Sequence, residues 1–304
     1  MKILVAGSTG LLGTALVSAL ARAGHTVCRL VRPQSTVGSG TKEGFDVAWN
    51  PETGELGGAG VGADAVVNLA GASIADGRWT ADRKKLLRTS RIDTTRALVE
   101  ALAKMNARPS VIVSASAIGV YGDRGDETLT EESKPGKDFL AGLTQEWEAE
   151  ALKAEALGIR VVLARFGIIL APAGGALPKM MLPFKFGAGG RIGNGQQWMS
   201  WVTIDDVVGI LRFALEKTSV KRAINTVAPQ PVQNAEFTKM LSAAMHRPAL
   251  FPAPAFALRL VLGEMADALL LSSQRVAPQA LEKLGYRFLH ADLSSALATV
   301  LAKT

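Results

Sequence analysis

Near the amino terminus, Gly7-Ser8-Thr9-Gly10-Leu11-Leu12-Gly13 has the residue types and spacing of a turn that cradles phosphate. Lys2 to Ala6, just before it, is an apolar run of the kind that forms a strand buried on both faces. Leu11 to Ala23, just after it, has helical spacing and stops at Gly24, a natural helix C-terminus. In that setting the first glycine makes the tight turn and the second admits a pyrophosphate to the backbone. The third lets helix and strand pack closely. The helix start adds free N–H groups and partial positive charge. Such a turn predicts a bound dinucleotide.

A second residue type refines the ligand. Strands that select NAD end in an acid for the ribose 2′-hydroxyl, whereas NADP sites place a cation there. Here the second strand ends Leu30-Val31-Arg32, with no acid before Glu43. Arg32 suits a 2′-phosphate through its planar fork of donors, or else is an exposed loop arginine. The cofactor expected is therefore NADP(H). Asn68-Leu69-Ala70-Gly71 closes a later strand with small residues, and Leu69, Ala70 and Gly71 are expected against the cofactor. Arg91 follows on a helix, placed either to reach a cofactor phosphate or to form a surface ion pair.

Other chemistries find little support. The lone cysteine, Cys28, forms no internal disulfide, and His25, His246 and His290 lie far apart, so no metal site of His and Cys is expected. The formal net charge is +7 and the sequence pI about 9.6. The densest basic cluster, Arg83, Lys84, Lys85, Arg88 and Arg91, has no stacking aromatics beside it. Nucleic acid is therefore disfavoured as a partner. The apolar start is too short for a signal peptide, and Phe256 to Leu271 is interrupted by Arg259, Glu264 and Asp267. A cytoplasmic protein with a small-molecule ligand is the expectation.

The elements that must position these residues alternate. Strands are expected over His25 to Val31, Ala65 to Leu69, Ser110 to Ser114, Arg160 to Leu170 and Ala223 to Val227. Helices are expected over Arg83 to Lys104 and Gly136 to Leu157, and periodicity resumes over Trp201 to Leu215. That rhythm predicts an α/β fold, a Rossmann-type doubly wound parallel sheet, formed by residues 1–170 and about 200–230. Residues 171–199, rich in Gly and Pro, read as a loop or cap over a cleft. Residues 231–304 read as a smaller, mostly helical domain.

Taken together, the glycine turn, Asn68-Leu69-Ala70-Gly71 and Ser114-Ala115-Ser116-Ala117-Ile118-Gly119-Val120-Tyr121-Gly122 resemble the extended short-chain dehydrogenase/reductases of the epimerase/dehydratase kind. Asp138-Phe139-Leu140-Ala141, Trp147-Glu148, Trp201-Val202-Thr203-Ile204-Asp205-Asp206, Gln274-Arg275-Val276 and Pro254 to Met265 resemble its atypical "epimerase family protein" branch. The resemblance spans essentially the whole chain. It implies NADP binding, a C-terminal domain peculiar to the branch, and Ser114 beside the cofactor. It matches Ser116 to the active-site serine, unless that serine only packs beside the cofactor. It matches Tyr121 to a tyrosine that is structural in many relatives.

The catalytic tyrosine of such enzymes is followed four residues later by a lysine, because an unperturbed phenol titrates near pH ~10. Here Gly125 follows Tyr121 at that spacing, and His290 follows Tyr286. The dyad is absent. Further polar candidates near the cleft are Asp123, Arg124, Arg165, Gln196 and Asp205, with Asp205 and Asp206 also suited to capping a helix. Two functions are expected in competition. One is an NADP(H)-dependent oxidoreductase or epimerase with a non-standard acid/base, and the other is a non-catalytic NADP(H)-binding sensor or regulator.

Overall fold

In the computed structural model, residues 1–32, 44–60 and 62–302 are described. Glu43 lies outside them. The chain begins with β1 (Lys2–Ala6), α1 (Leu11–Arg22), β2 (Thr26–Val31), β3 (Phe45–Asn50), β4 (Glu55–Leu56) and β5 (Ala65–Asn68). It continues with α2 (Ala81–Thr89), α3 (Ile92–Ala103), β6 (Val111–Ala117), β7 (Thr128–Leu129), α4 (Phe139–Leu152) and β8 (Arg160–Phe166).

All of these strands except β7 form one sheet with β12 (Arg222–Thr226), in the order β12-β8-β6-β5-β1-β2-β3-β4. All its pairs are parallel except β3 with β4. β1 lies between β2 and β5, so chain direction across the sheet reverses there. A doubly wound sheet opens its ligand crevice at that point, beyond the carboxyl ends of the strands.

Strand residues alternate between faces, so one strand serves two cores. Ile3 and Val5 pack with Leu16 and Leu20 of α1 on one face. Leu4 packs with Leu98 and Leu102 of α3 on the other. The stretch read as one helix from Arg83 to Lys104 is two, broken at Ser90 and Arg91. The Ser90 hydroxyl accepts from Ala72 N, and Arg91 donates back to Ala72 O. The strand read over Arg160 to Leu170 also divides, at Gly167. A Cβ there would lie 2.4 Å from the Ser200 carbonyl oxygen, so the chain passes the neighbouring backbone too closely for any side chain.

Beyond Gly167 come β9 (Ile168–Leu170), α5 (Ala176–Lys185), β10 (Trp198–Met199), β11 (Trp201–Thr203) and α6 (Ile204–Glu216). The stretch 171–199 thus contains a helix as well as loop. After β12 follow β13 (Val232–Gln233), α7 (Asn234–Met245), α8 (Ala255–Leu262), α9 (Glu264–Ala266), β14 (Arg275–Val276), α10 (Gln279–Lys283) and α11 (Leu293–Leu301). Leu177, Met181 and Phe184 of α5 share a core with Phe237 and Leu241 of α7 and Leu293 and Leu297 of α11. No described helix is long and apolar enough to cross a membrane.

Candidate functional site

The glycine turn lies at the carboxyl end of β1, and its three glycines meet different surroundings. Gly7 has φ +75°, and a Cβ on it would stand 2.6 Å from the backbone of Leu69. A Cβ on Gly13 would stand 2.1 Å from the Gly7 carbonyl oxygen. Both positions are closed by backbone, which only glycine permits. Gly10 is different, since a Cβ there would meet only the Gly7 oxygen at 3.4 Å and otherwise open space.

The turn is equipped for an anion. α1 has no side-chain cap and no acid in its first turn, so its leading N–H groups and positive end are free. Ser8 is buried, and its Oγ has no hydrogen-bond partner. Orphaned buried hydroxyls are costly, and a ligand oxygen at this turn would satisfy it. Thr9 is exposed on the turn, while Leu11 and Leu12 are half-buried at the helix start. Arg32 stands exposed immediately after β2, one strand away in the sheet. The donor set therefore fits a dinucleotide diphosphate.

Across the crevice, Leu69 N donates to Ala6 O and Ala70 N donates to the Asn68 side chain at 3.3 Å. Asn68 is fully buried and is itself held by a 2.9 Å bond to Thr95, which also accepts from the Trp147 indole. This chain of bonds fixes the backbone of Leu69, Ala70 and Gly71. Arg91 packs under Gly71, donates to Ala72 O and Leu87 O, and lies over the Trp147 ring. Burial, with Arg83 nearby, lowers its pKa to about 10. No described carboxylate pairs with it, so an incoming anion would find an uncompensated cation. Two further segments approach this crevice. Gly174 and Gly175 rest against the Leu11 side chain, and Lys179 of α5 reaches Ala75 O and Asp76.

The two catalytic candidates lie in a different environment. Ser116 is 2% exposed, and its hydroxyl donates to Glu148 at 2.5 Å. Arg165 holds the same carboxylate through two bonds of 2.8 Å and donates to the Tyr121 hydroxyl at 3.0 Å. Tyr121 is fully buried and donates to Asn225 at 2.7 Å. Burial pushes its phenol up, while Arg165 works to lower it. Burial likewise opposes the charge on Arg165, but the Glu148 carboxylate outweighs that and raises the guanidinium. The network ties β6, α4, β8 and β12 together, with both hydroxyls turned into it.

Ser114 is also fully buried, 3.5 Å from the Asn68 amide nitrogen. Asp123 accepts from Ser273 N, and Arg124 pairs with Glu127. Gln196 is exposed, and its backbone N donates to Asn194. The cap of α6 is Thr203 rather than an aspartate. Asp206 instead accepts from Thr203 and from the backbone N–H groups of Leu289 and His290, fastening the tail to α6. Of the basic cluster, Arg83 binds Ser73 O, Lys84 pairs with Glu264 and Arg88 with Glu146. Those three cations are engaged within the protein. No metal-binding cluster occurs among the described residues.

Glu148, Thr95 and Asn225 escape sequence reasoning. Glu148 stands between Glu146 and Glu150, and the sequence pattern does not set it apart from them. Asn225 carries no signal either, because its partner Tyr121 lies 104 residues away.

A parallel sheet in this order, with a three-glycine turn at its reversal point, defines a dinucleotide-binding Rossmann protein of the short-chain dehydrogenase kind. The profile of the NAD dependent epimerase/dehydratase family matches residues 3–226, and a domain of unknown function, DUF1731, matches 253–300. The chain belongs to that epimerase/dehydratase family. It is 42% identical over 296 residues to an epimerase family protein of Mycobacterium bovis, covering 97% of this chain and 96% of the relative. It is 39% identical over 303 residues to epimerase family protein YfhF of Bacillus subtilis, covering 99% and 98%. The crystal structure of human epimerase family protein SDR39U1 (isoform 2) with NADPH aligns at TM-score 0.89 and 33% identity, covering 100% of both chains.

Proposed function

We propose that this chain binds NADP(H) at the Gly7–Gly13 turn and acts as an oxidoreductase or epimerase on a small molecule, in the cytoplasm, with an acid/base other than Tyr-Lys. When bound, the nicotinamide ring gives or takes hydride. The observation that carries the reading is the contrast within the turn. Gly7 and Gly13 are sealed by backbone, Gly10 opens on space, and the Ser8 hydroxyl beside it lacks a partner. Gly7, Ser8, Thr9, Gly10, Leu11, Leu12 and Gly13 would hold the diphosphate. Arg32 would hold the 2′-phosphate, and Leu69, Ala70 and Gly71 would lie against the cofactor. Arg91 would supply further positive charge, and Ser114 would support the adjoining strand end. The human relative crystallised with NADPH supports the choice of NADP(H).

A second reading, a non-catalytic NADP(H) sensor, also has a specific observation in its favour. The Ser116 and Tyr121 hydroxyls are occupied inside the protein. In addition, Phe139, Leu140 and Leu143 of α4 pack with Leu69, Ile74, Trp79 and Phe166 in an apolar cluster where the Tyr-Lys pair would stand.

Titration with NADPH and NADH, before and after Arg32→Ala, tests the cofactor assignment. NADPH should bind about 10- to 100-fold more weakly to the variant, with NADH unchanged, as expected for loss of a charge-assisted contact. Equal affinities unaffected by the substitution would defeat it. Hydride traffic separates the two readings. Loss of deuterium from [4-2H]NADPH in the presence of small aldehydes and ketones supports the enzyme. Retention at saturating cofactor supports the sensor.

A further inference from the structure

Away from the glycine turn, a cavity of about 310 Å3 opens between the β7–β14 pair, Trp198 and the turn Pro229-Gln230-Pro231. That volume is at the small end of ligand pockets, roughly 300–1,000 Å3. Its one charged side chain is Arg275, half-buried, with its guanidinium carbon 4.4 Å from the centre of the Trp198 ring.

The indole beneath Arg275 is fixed from two directions. Trp198 Nε1 donates to Asp126 at 2.7 Å, and Trp198 N donates to the Ser273 hydroxyl at 3.0 Å. Stacking engages the flat face of a guanidinium and leaves its five N–H donors pointing outward in the plane. No described carboxylate pairs with Arg275, and its guanidinium donates to no described acceptor. A cation stacked on a fixed indole at a cavity, with its whole donor edge unused, is placed to receive an oxyanion.

The walls narrow the choice. Pro229, Pro231, Val276 and Ala277 present apolar surface, and Thr128 and Gln230 are the uncharged polar neighbours. One guanidinium balances one carboxylate. A phosphate dianion would leave charge uncompensated against those walls, which is costly. Flat apolar surface suits the prolines and the uncovered part of the indole.

We propose that this cavity binds a small carboxylate with a flat, largely apolar body, the carboxylate on Arg275 and the body against Trp198, Pro229 and Pro231. This site is independent of the dinucleotide reading.

Benzoate is the probe, with benzamide as its uncharged isostere and inorganic phosphate as the alternative anion. Each is titrated into the full chain, with and without NADPH, while the Trp198 indole N–H resonance is followed. Trp198→Phe assigns that resonance by deleting it. Benzoate should shift the resonance saturably, and benzamide and phosphate should bind about tenfold or more weakly. Arg275→Gln should weaken benzoate by a similar factor, while Arg275→Lys, which keeps the charge and the stem, should retain part of the binding. Failure of benzoate to saturate, or a shift unchanged in both Arg275 variants, would overturn the site. Phosphate binding as tightly as benzoate would overturn the assignment to a flat carboxylate. If Arg275→Gln does not fold, Arg275→Lys and benzamide still decide the question.

Discussion

Arg165 grips Glu148 with two parallel hydrogen bonds of 2.8 Å, joining strand β8 to helix α4 behind the crevice. The side chains are 11% and 9% exposed, so little solvent screens the pair. Ser116 donates to one side of this fork, and Tyr121 accepts from the other. A bidentate pair fixes orientation as well as distance. It engages the Ser116 and Tyr121 hydroxyls at the strand ends that frame the crevice.

The first expectation concerns that pair. Removing one partner of a buried ion pair strands the other charge, at about 3–5 kcal/mol. Glu148→Ala should lower stability by that amount in urea unfolding. The double replacement Glu148→Leu with Arg165→Met should recover most of the loss, because no charge is then left uncompensated. A double variant as unstable as Glu148→Ala would show that the fork contributes more than charge balance.

Tyr121→Phe asks whether the phenol serves ligand or fold. The substitution leaves the Asn225 oxygen without its 2.7 Å donor in a fully buried site. A loss of about 1–3 kcal/mol is expected for that unsatisfied group. NADPH affinity should not change, since the hydroxyl points into the network. A variant of normal stability with weakened cofactor binding would reverse this assignment.

Much of this was legible in the sequence because it is local. Gly7, Gly10 and Gly13 act within one turn, and a helix or strand announces itself over a few residues. What escaped was non-local or masked by pattern. No Gly or Pro marks Ser90 and Arg91, yet the helix breaks there to bond Ala72, 18 and 19 residues away. Pro178 and Pro183 make 171–199 look irregular, although α5 is helical because it shares a core with α7 and α11. Phe45, Val47 and Trp49 carry the alternation of β3 within one short window. The Glu148 network joins four segments that no sequence window spans.

Acid stability should depend on Glu150. Burial works to raise its carboxyl, but hydrogen bonds from Lys153 and Arg96 outweigh that and hold it below 4.5. A depressed native pKa means that the unfolded chain binds the proton first. The contribution is therefore present above pH 4.5 and lost as pH falls through the native value. Glu150→Gln should melt lower than the parent at neutral pH, and the two melting temperatures should converge as pH falls below the native value of the Glu150 carboxyl. A difference that persists undiminished in acid would show that the ion pairs to Glu150 are not its source.

The glycine turn offers the sharpest separation of fold from ligand. Gly13→Ala would drive a methyl to 2.1 Å from the Gly7 oxygen, and backbone must shift to relieve it. Both stability and NADPH binding should fall, with overpacking costing about 1–3 kcal/mol. Gly10→Ala meets only one atom, at 3.4 Å, and Gly10 is the extended N-cap with φ −74°, which alanine also adopts. Replacing a glycine cap with alanine costs the helix about 1 kcal/mol or less, so this variant should melt close to the parent. Its methyl, however, would stand where the proposed site brings the diphosphate to the backbone. NADPH titration of the two purified variants checks the point. Gly10→Ala that folds and binds normally would mean the open face of the turn is not where the cofactor lies.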